Sequence, residues 1–205
     1  MKKGFTLIEM LVVVGIIGIL VASGIGAFSH MTKAAERQRC QELVSNVATA
    51  LTALFNQNGS WPRALINNGG GKDGELDETA AYPLAKGGFM TLTMSTDEGK
   101  LSGYDKFGIV TPWAMALIKA KGSSAAISHK VPGGGTIKDH ILHYALDLDG
   151  DGIIESANVG GQSIDVRATA IVWACGKDGK IEPYRRGLKG DDVYSWTFGQ
   201  TQRVK

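Results

Sequence analysis

The sequence predicts an α+β fold: one long N-terminal helix, transmembrane and then amphipathic, packed on a C-terminal antiparallel sheet. Three observations predict it. From Phe5 to Phe28 the chain is apolar or small, with Glu9 its only charge. Beyond that, apolar residues recur at spacings of three and four as far as Phe55. After Thr136 the pattern changes to short β-branched runs separated by Gly and Asp turns, and helix followed by strands reads as α+β.

The apolar run, at about 1.5 Å per residue, spans roughly 36 Å as a helix, against a bilayer core of about 30 Å. Lys2 and Lys3 precede it. The positive-inside bias then predicts a single-pass protein of the inner (cytoplasmic) membrane, with a cytoplasmic N-terminus and an extracytoplasmic or periplasmic globular domain. A carboxylate as deep as Glu9 costs about 2.5–3.5 kcal/mol on insertion scales, which marks it as functional. Gly15, Gly18, Gly24 and Gly26 lie in the same run and suit close helix contact or a bend.

Residues 29–58 continue the helix. Ala34, Ala35, Cys40, Leu43, Val44, Val47, Ala48, Leu51, Leu54 and Phe55 form one stripe, with Lys33, Glu36, Arg37, Arg39, Gln41, Glu42 and Asn46 on the wet side. Asn58-Gly59 allows a left-handed cap and Pro62 cannot continue the helix.

Residues 59–135 read as a loop-rich region with a short helix near 112–120. Thr111-Pro112 opens that helix as cap and first turn, and Gly122 closes it. Phe89 to Met94 reads as a short strand. Gly69-Gly-Gly-Lys72 is no phosphate loop, since no strand precedes it and no Ser or Thr follows the Lys.

Residues 136–205 read as the sheet. Ile137 to Leu146 and Ile153 to Glu155 flank an acidic hairpin turn, Ser163 to Cys175 is one strand, and Asp192 to Phe198 is the last. In the acidic turn, Asp147, Asp149 and Asp151 with Gly152 copy the first half of an EF-hand loop. Position twelve is Asn158 and no helix pair flanks it, so the alternatives are a calcium-loaded hairpin or a plain Asp-Gly turn.

Composition narrows the function classes. The 205 residues support one modest domain beyond the apolar run. A net charge of +2 gives no footing for nucleic acid as a partner. Cys40 and Cys175 can pair in an oxidising compartment or stand as two small buried thiols. His140 and His143, three apart in an expected strand, point to opposite faces and share no metal. No nucleophile elbow, paired acid or Cys-His motif is present, so the chain reads as a non-enzyme.

The basic leader, then Gly4-Phe-Thr-Leu-Ile-Glu9 heading an apolar helix, resembles the class III signal of type IV pilins and type II secretion pseudopilins. The resemblance implies a leader of residues 1–4, cut after Gly4 by a prepilin peptidase that also methylates Phe5. It implies that Glu9 meets the amine of Phe5 on a neighbouring subunit during assembly. Copies of the chain, a secretion or pilus assembly platform and the membrane would be its partners, with a surface filament as one destination. Asn58-Gly-Ser-Trp-Pro62 resembles the turn that ends the pilin helix.

The tail, Ala174-Cys-Gly-Lys-Asp-Gly-Lys180 and Gly190-Asp-Asp-Val-Tyr-Ser-Trp196, resembles that of the major pseudopilin. This implies Ca2+ as cofactor, held by Asp178, Asp191 and Asp192. Ile181 to Lys189 interrupts the match, and Asp105-Lys-Phe-Gly108 only echoes the family's upstream block. Two rival readings are a minor pilin that captures DNA or a surface through Tyr184, Arg185, Arg186 and Lys189, and a non-polymerising single-pass protein with a calcium module.

Overall fold

The computed structural model describes residues 6–184 and 190–204. The chain divides into an N-terminal unit ending at Gln38 and a larger unit from Arg39 to Lys205. Helix α1, Leu7–Asn58, is 52 residues long and supplies the structure of the first unit. Between Leu7 and Val21 its large apolar side chains are 46–84% exposed, so the first unit has no core of its own there.

Among the described residues no helix is long and apolar enough to cross a membrane. The apolar side chains described in the first part of α1 run from Leu7 to Val21. Glu9 falls inside that stretch, and Lys33, Glu36 and Arg37 follow further along the helix. The transmembrane segment at 5–28 and the single-pass inner-membrane placement therefore do not stand.

In the larger unit the helical stripe works as its spacing requires. Cys40, Val44, Val47, Leu51 and Leu54 are buried, while Gln41, Glu42, Ser45 and Asn46 are exposed. The helix stops where a left-handed residue was expected: Gly59 has φ +67° and its N–H donates to Phe55 O at 2.7 Å. Two short helices follow, α2 (Arg63–Asn67) and α3 (Glu78–Lys86). Pro83 concealed α3 in the sequence, but Asp77 caps it by accepting from Ala80 N–H at 2.9 Å. The fourth helix, α4 (Pro112–Lys121), ends at Gly122 with φ +57°. Thr111 precedes it but makes no side-chain cap.

Strands β1 (Gly74–Glu75), β2 (His143–Leu146), β5 (Ala170–Ala174) and β6 (Val193–Tyr194) form an antiparallel sheet in the order β1-β2-β5-β6. Strands β3 (Ile154–Val159), β4 (Gln162–Val166) and β7 (Thr201–Val204) form a second one, ordered β3-β4-β7. The first sheet has an apolar layer on each side. Tyr144, Leu146, Ala170, Val172 and Ala174 join the helical stripe in one core. Ala145, Ile171 and Trp173, on the alternate positions, join Ile154, Ala157, Val159, Ile164 and Val166 of the second sheet. A strand covered on both faces must be apolar at every position, and Ala-Ile-Val-Trp-Ala is.

This layering corrects several strand boundaries. Ser163 to Cys175 is two strands in two sheets, broken at 167–169. The acidic turn is no hairpin: β2 and β3 lie in different sheets, and the loop passes from one to the other. Residues 138–140 form a 3-10 turn ahead of β2. Phe89 to Met94 forms no strand, only an isolated bridge from Met94 to Leu101. The last expected strand contracts to Val193–Tyr194, with β7 following.

Leu51 is fully buried on α1. Leu51→Ala should lower unfolding stability by about 2–5 kcal/mol in a urea melt, whereas Asn46→Ala on the exposed side should stay within about 0.5 kcal/mol of the parent.

Candidate functional site

At the N-terminal end the described residues begin with a reciprocal cap. Thr6 N–H and Thr6 Oγ1–H both donate to Glu9 Oε2 at 2.8 Å, and Glu9 N–H points to Thr6 Oγ1 at 3.4 Å. This is the capping box of a helix N-terminus, and Thr-x-x-Glu ahead of an apolar run is its sequence signal. The Thr6 backbone bond, then the hydroxyl bond, holds the Glu9 carboxyl below its ordinary range. Gly4 and Phe5 lie outside the described residues.

The tail acids are occupied by backbone. Asp191 Oδ2 accepts from Lys177 N–H at 2.7 Å, and Asp178 Oδ1 from Lys180 N–H at 2.9 Å. Asp192 is 5% exposed. Its Oδ1 accepts from Gly176 N–H at 2.9 Å, and its Oδ2 from Glu182 N–H at 2.7 Å and Tyr194 O–H at 3.2 Å. Burial pushes the Asp192 carboxyl up, against those three bonds. A Cβ on Gly176 would strike the Asp191 carboxylate, so this glycine makes room for the contact. Arg185, Arg186 and Lys189 lie outside the described residues. Tyr184 is buried, with its ring 4.9 Å from that of Tyr194 and 5.4 Å from that of Trp196, so it offers no exposed face for a nucleic-acid base.

The second acidic loop is arranged differently. Asp147, Asp149 and Asp151 each place a carboxylate oxygen within 4.8 Å of the other two; among the described residues Asp178, Asp191 and Asp192 form no such group. Asp147 is buried and accepts from Gly150 N–H at 2.7 Å and Gly152 N–H at 2.8 Å. Gly150 and Gly152 reach this geometry at φ +80° and +84°. The loop is anchored from outside by Trp61 Nε1–H, which donates to Asp147 O at 2.6 Å. Asp149 and Asp151 are exposed. Asp149 also lines a pocket of about 270 Å³ with Leu148, Ile153 and Glu155. Three carboxylates this close can coordinate a metal ion that prefers oxygen ligands.

The remaining candidates separate. Cys40 and Cys175 are both buried, and neither is in a disulfide. Cys175 S–H donates to Asp139 O at 3.2 Å. His140 sits in the 3-10 turn, not in a strand, and is fully buried. His143, on β2, contacts Asp73 Oδ1 through Nδ1 at 2.7 Å and stacks on Trp173.

Comparison with known proteins bears on the first of these places. Residues 1–25 match the family described as the prokaryotic N-terminal methylation motif. A fimbrial protein of Neisseria meningitidis serogroup A / serotype 4A (strain DSM 15465 / Z2491) is 31% identical over 99 residues, 47% of this chain and 57% of that protein. The type IV major pilin protein PilE1 of Neisseria gonorrhoeae is 36% identical over 62 residues, 30% of this chain and 38% of the relative. Fimbrial protein EcpC of Eikenella corrodens is 33% identical over 61 residues, covering 30% and 40%. Part of the chain is homologous to fimbrial and type IV pilin proteins. The chain spans little more than half the length of the first relative and about two fifths of the other two. No solved structure matches.

The tail geometry can be tested at Asp192. Asp192→Asn replaces one acceptor oxygen by an NH2 group that must face a backbone or tyrosyl donor. The variant should lose about 1–3 kcal/mol of stability in urea melting at neutral pH.

Proposed function

We propose that this chain is a non-enzymatic structural subunit of a type IV pilus or type II secretion-like pseudopilus. On this reading it is processed between Gly4 and Phe5 and assembled through its N-terminal helix. The observation that carries the reading is the methylation motif over residues 1–25, together with its pilin relatives. The exposed apolar side chains between Leu7 and Val21 support it, because a contiguous apolar surface needs a cover and neighbouring copies of the same helix supply one. A peptidase that cuts and methylates, other subunits and an assembly platform are the partners this implies. Glu9 would leave the Thr6 cap to meet the Phe5 amine of a neighbour, exchanging hydrogen bonds for a charge pair. The tests are direct. N-terminal sequencing of the mature protein should begin at methylated Phe5; retention of Met1 would sink the reading.

Glu9 separates charge from capping. Gln serves in a capping box as Glu does, so Glu9→Gln keeps the helix start and removes the charge. The variant should fold normally and fail to enter filaments. Filament yield equal to the parent would remove the charge pair from the mechanism.

The acidic loop supports a second element of the reading, a calcium ion held by Asp147, Asp149 and Asp151. Calcium takes about six to eight oxygens, so backbone carbonyls and water would complete the set. A ligand bound only to the folded state adds about 2.7 kcal/mol at a hundred times its Kd. Calcium should therefore raise the melting temperature of the parent but not of Asp149→Ala/Asp151→Ala, while Asp191→Ala should keep the response. A melting temperature indifferent to calcium and chelator would leave the loop an ordinary turn.

A further inference from the structure

Away from both acidic loops, one buried polar cluster ties together segments distant in sequence. His140 is fully buried at the end of its 3-10 turn. Its Nε2 lies 3.1 Å from Gly134 O, and its Nδ1 lies 2.8 Å from Thr111 Oγ1 and 3.3 Å from Cys175 Sγ. Thr111 N–H donates in turn to His140 O at 2.9 Å. The side chain thus pins the entry to α4, the Gly133–Gly135 turn and the end of β5 at one point.

The partners dictate the tautomer. A carbonyl oxygen only accepts, so Nε2 carries the proton and donates to Gly134 O. Nδ1 is then the acceptor and receives the Thr111 hydroxyl, while the Cys175 thiol donates to Asp139 O. The Gly133–Gly135 turn lies against the tail: a Cβ at Gly134 would strike the backbone of Asp178, and one at Gly133 would meet Lys177. His140 therefore indirectly supports the segment where Asp178 and Asp191 bond to backbone.

We propose that His140 is an acid-sensitive latch: a proton added at Nδ1 reverses the Thr111 hydrogen bond and loosens the entry to α4 from the end of β5, while Nε2–H keeps its bond to Gly134 O. Protonation makes Nδ1 a donor facing a hydroxyl that was itself donating and a thiol already committed to Asp139 O. It also places a cation in a fully buried position. Burial, the larger influence, holds the imidazole below its ordinary value of 6.5, against the Gly134 bond and the charges of Asp139 and Asp178. The other groups facing the cluster do not reverse this. Lys138 lies on the same turn and Lys177 in the tail beside Gly133, and neither adds a negative charge to the cluster. The Cys175 thiol is itself pushed up by burial, with Asp192 and Cys40 adding to the rise, and stays neutral. Trp113 is the nearest ring on α4, 6.3 Å away, and carries no charge. The sign follows: the folded chain binds this proton less readily than the unfolded one. The contribution is complete above pH 6.5 and is lost as pH falls from there through the folded value.

The experiment uses the full chain. His140→Gln retains one donor and one acceptor and does not titrate. The parent should lose several degrees of melting temperature between pH 6.5 and 5.0, and the variant should lose clearly less. In the parent, imidazole nitrogen shifts should report the Nε2–H tautomer at neutral pH and a midpoint below 6.5. The amide signals of Thr111 and Cys175 should change at that midpoint, and Thr111→Val should raise it. A midpoint at or above 6.5, ring titration that leaves those amides unmoved, or equal acid loss in parent and His140→Gln would each overturn the proposal.

Discussion

Burial of both faces of the first sheet is the constraint on which the larger unit depends. Trp173 is fully buried on the side facing the second sheet, while Val172 and Ala174 join the core that contains the α1 stripe. Side chains of this kind contribute about 1.5–3 kcal/mol each on full burial. The short edge strands β1 and β6 follow from this, since the apolar layers, not long ladders, hold the sheet in place.

The same layering sets the chemistry of the two acidic loops. The tail acids sit where chain segments 176–182 and 191–192 meet, and they accept from the backbone N–H groups of Gly176, Lys177 and Glu182. Asp192, which accepts three hydrogen bonds, has few lone pairs left for a cation. The Asp147 loop crosses from one sheet to the other, with Asp147 held inward by Gly150 and Gly152 while Asp149 and Asp151 face outward. Two loops of similar composition thus differ because one closes a core edge and the other bridges two sheets.

The N-terminal unit obeys a different rule. Thr6 and Glu9 satisfy each other, and the large apolar side chains described beyond them, Leu7 to Val21, are exposed. Stability there rests on helix hydrogen bonds and the cap, with tertiary packing reserved for a second molecule in the reading advanced here. Homology to fimbrial and type IV pilin proteins agrees with that division, since the processing motif occupies residues 1–25.

Periodicity and punctuation in the sequence by itself determined the helical parts. The stripe Cys40–Val44–Val47–Leu51–Leu54 named its own buried face, and Gly59 and Gly122 marked two helix ends, because both signals act within one or two turns of chain. The Thr6–Glu9 cap is equally local, a Thr-x-x-Glu signal passed over when Glu9 is taken for a membrane-buried acid. Only the tertiary structure decided strand partnership. Val166 and Ala170 stand four residues apart in one expected strand yet belong to different sheets, since pairing is settled by distant residues: Val166 by Ile154 and Thr201, Ala170 by Leu146. The acids followed the same rule. Asp192 finds Gly176 and Glu182, and His140 finds Thr111 and Cys175, across separations that no short window of sequence spans. Long-range contacts decide what a polar side chain bonds to, whereas local spacing decides which face of a helix is dry.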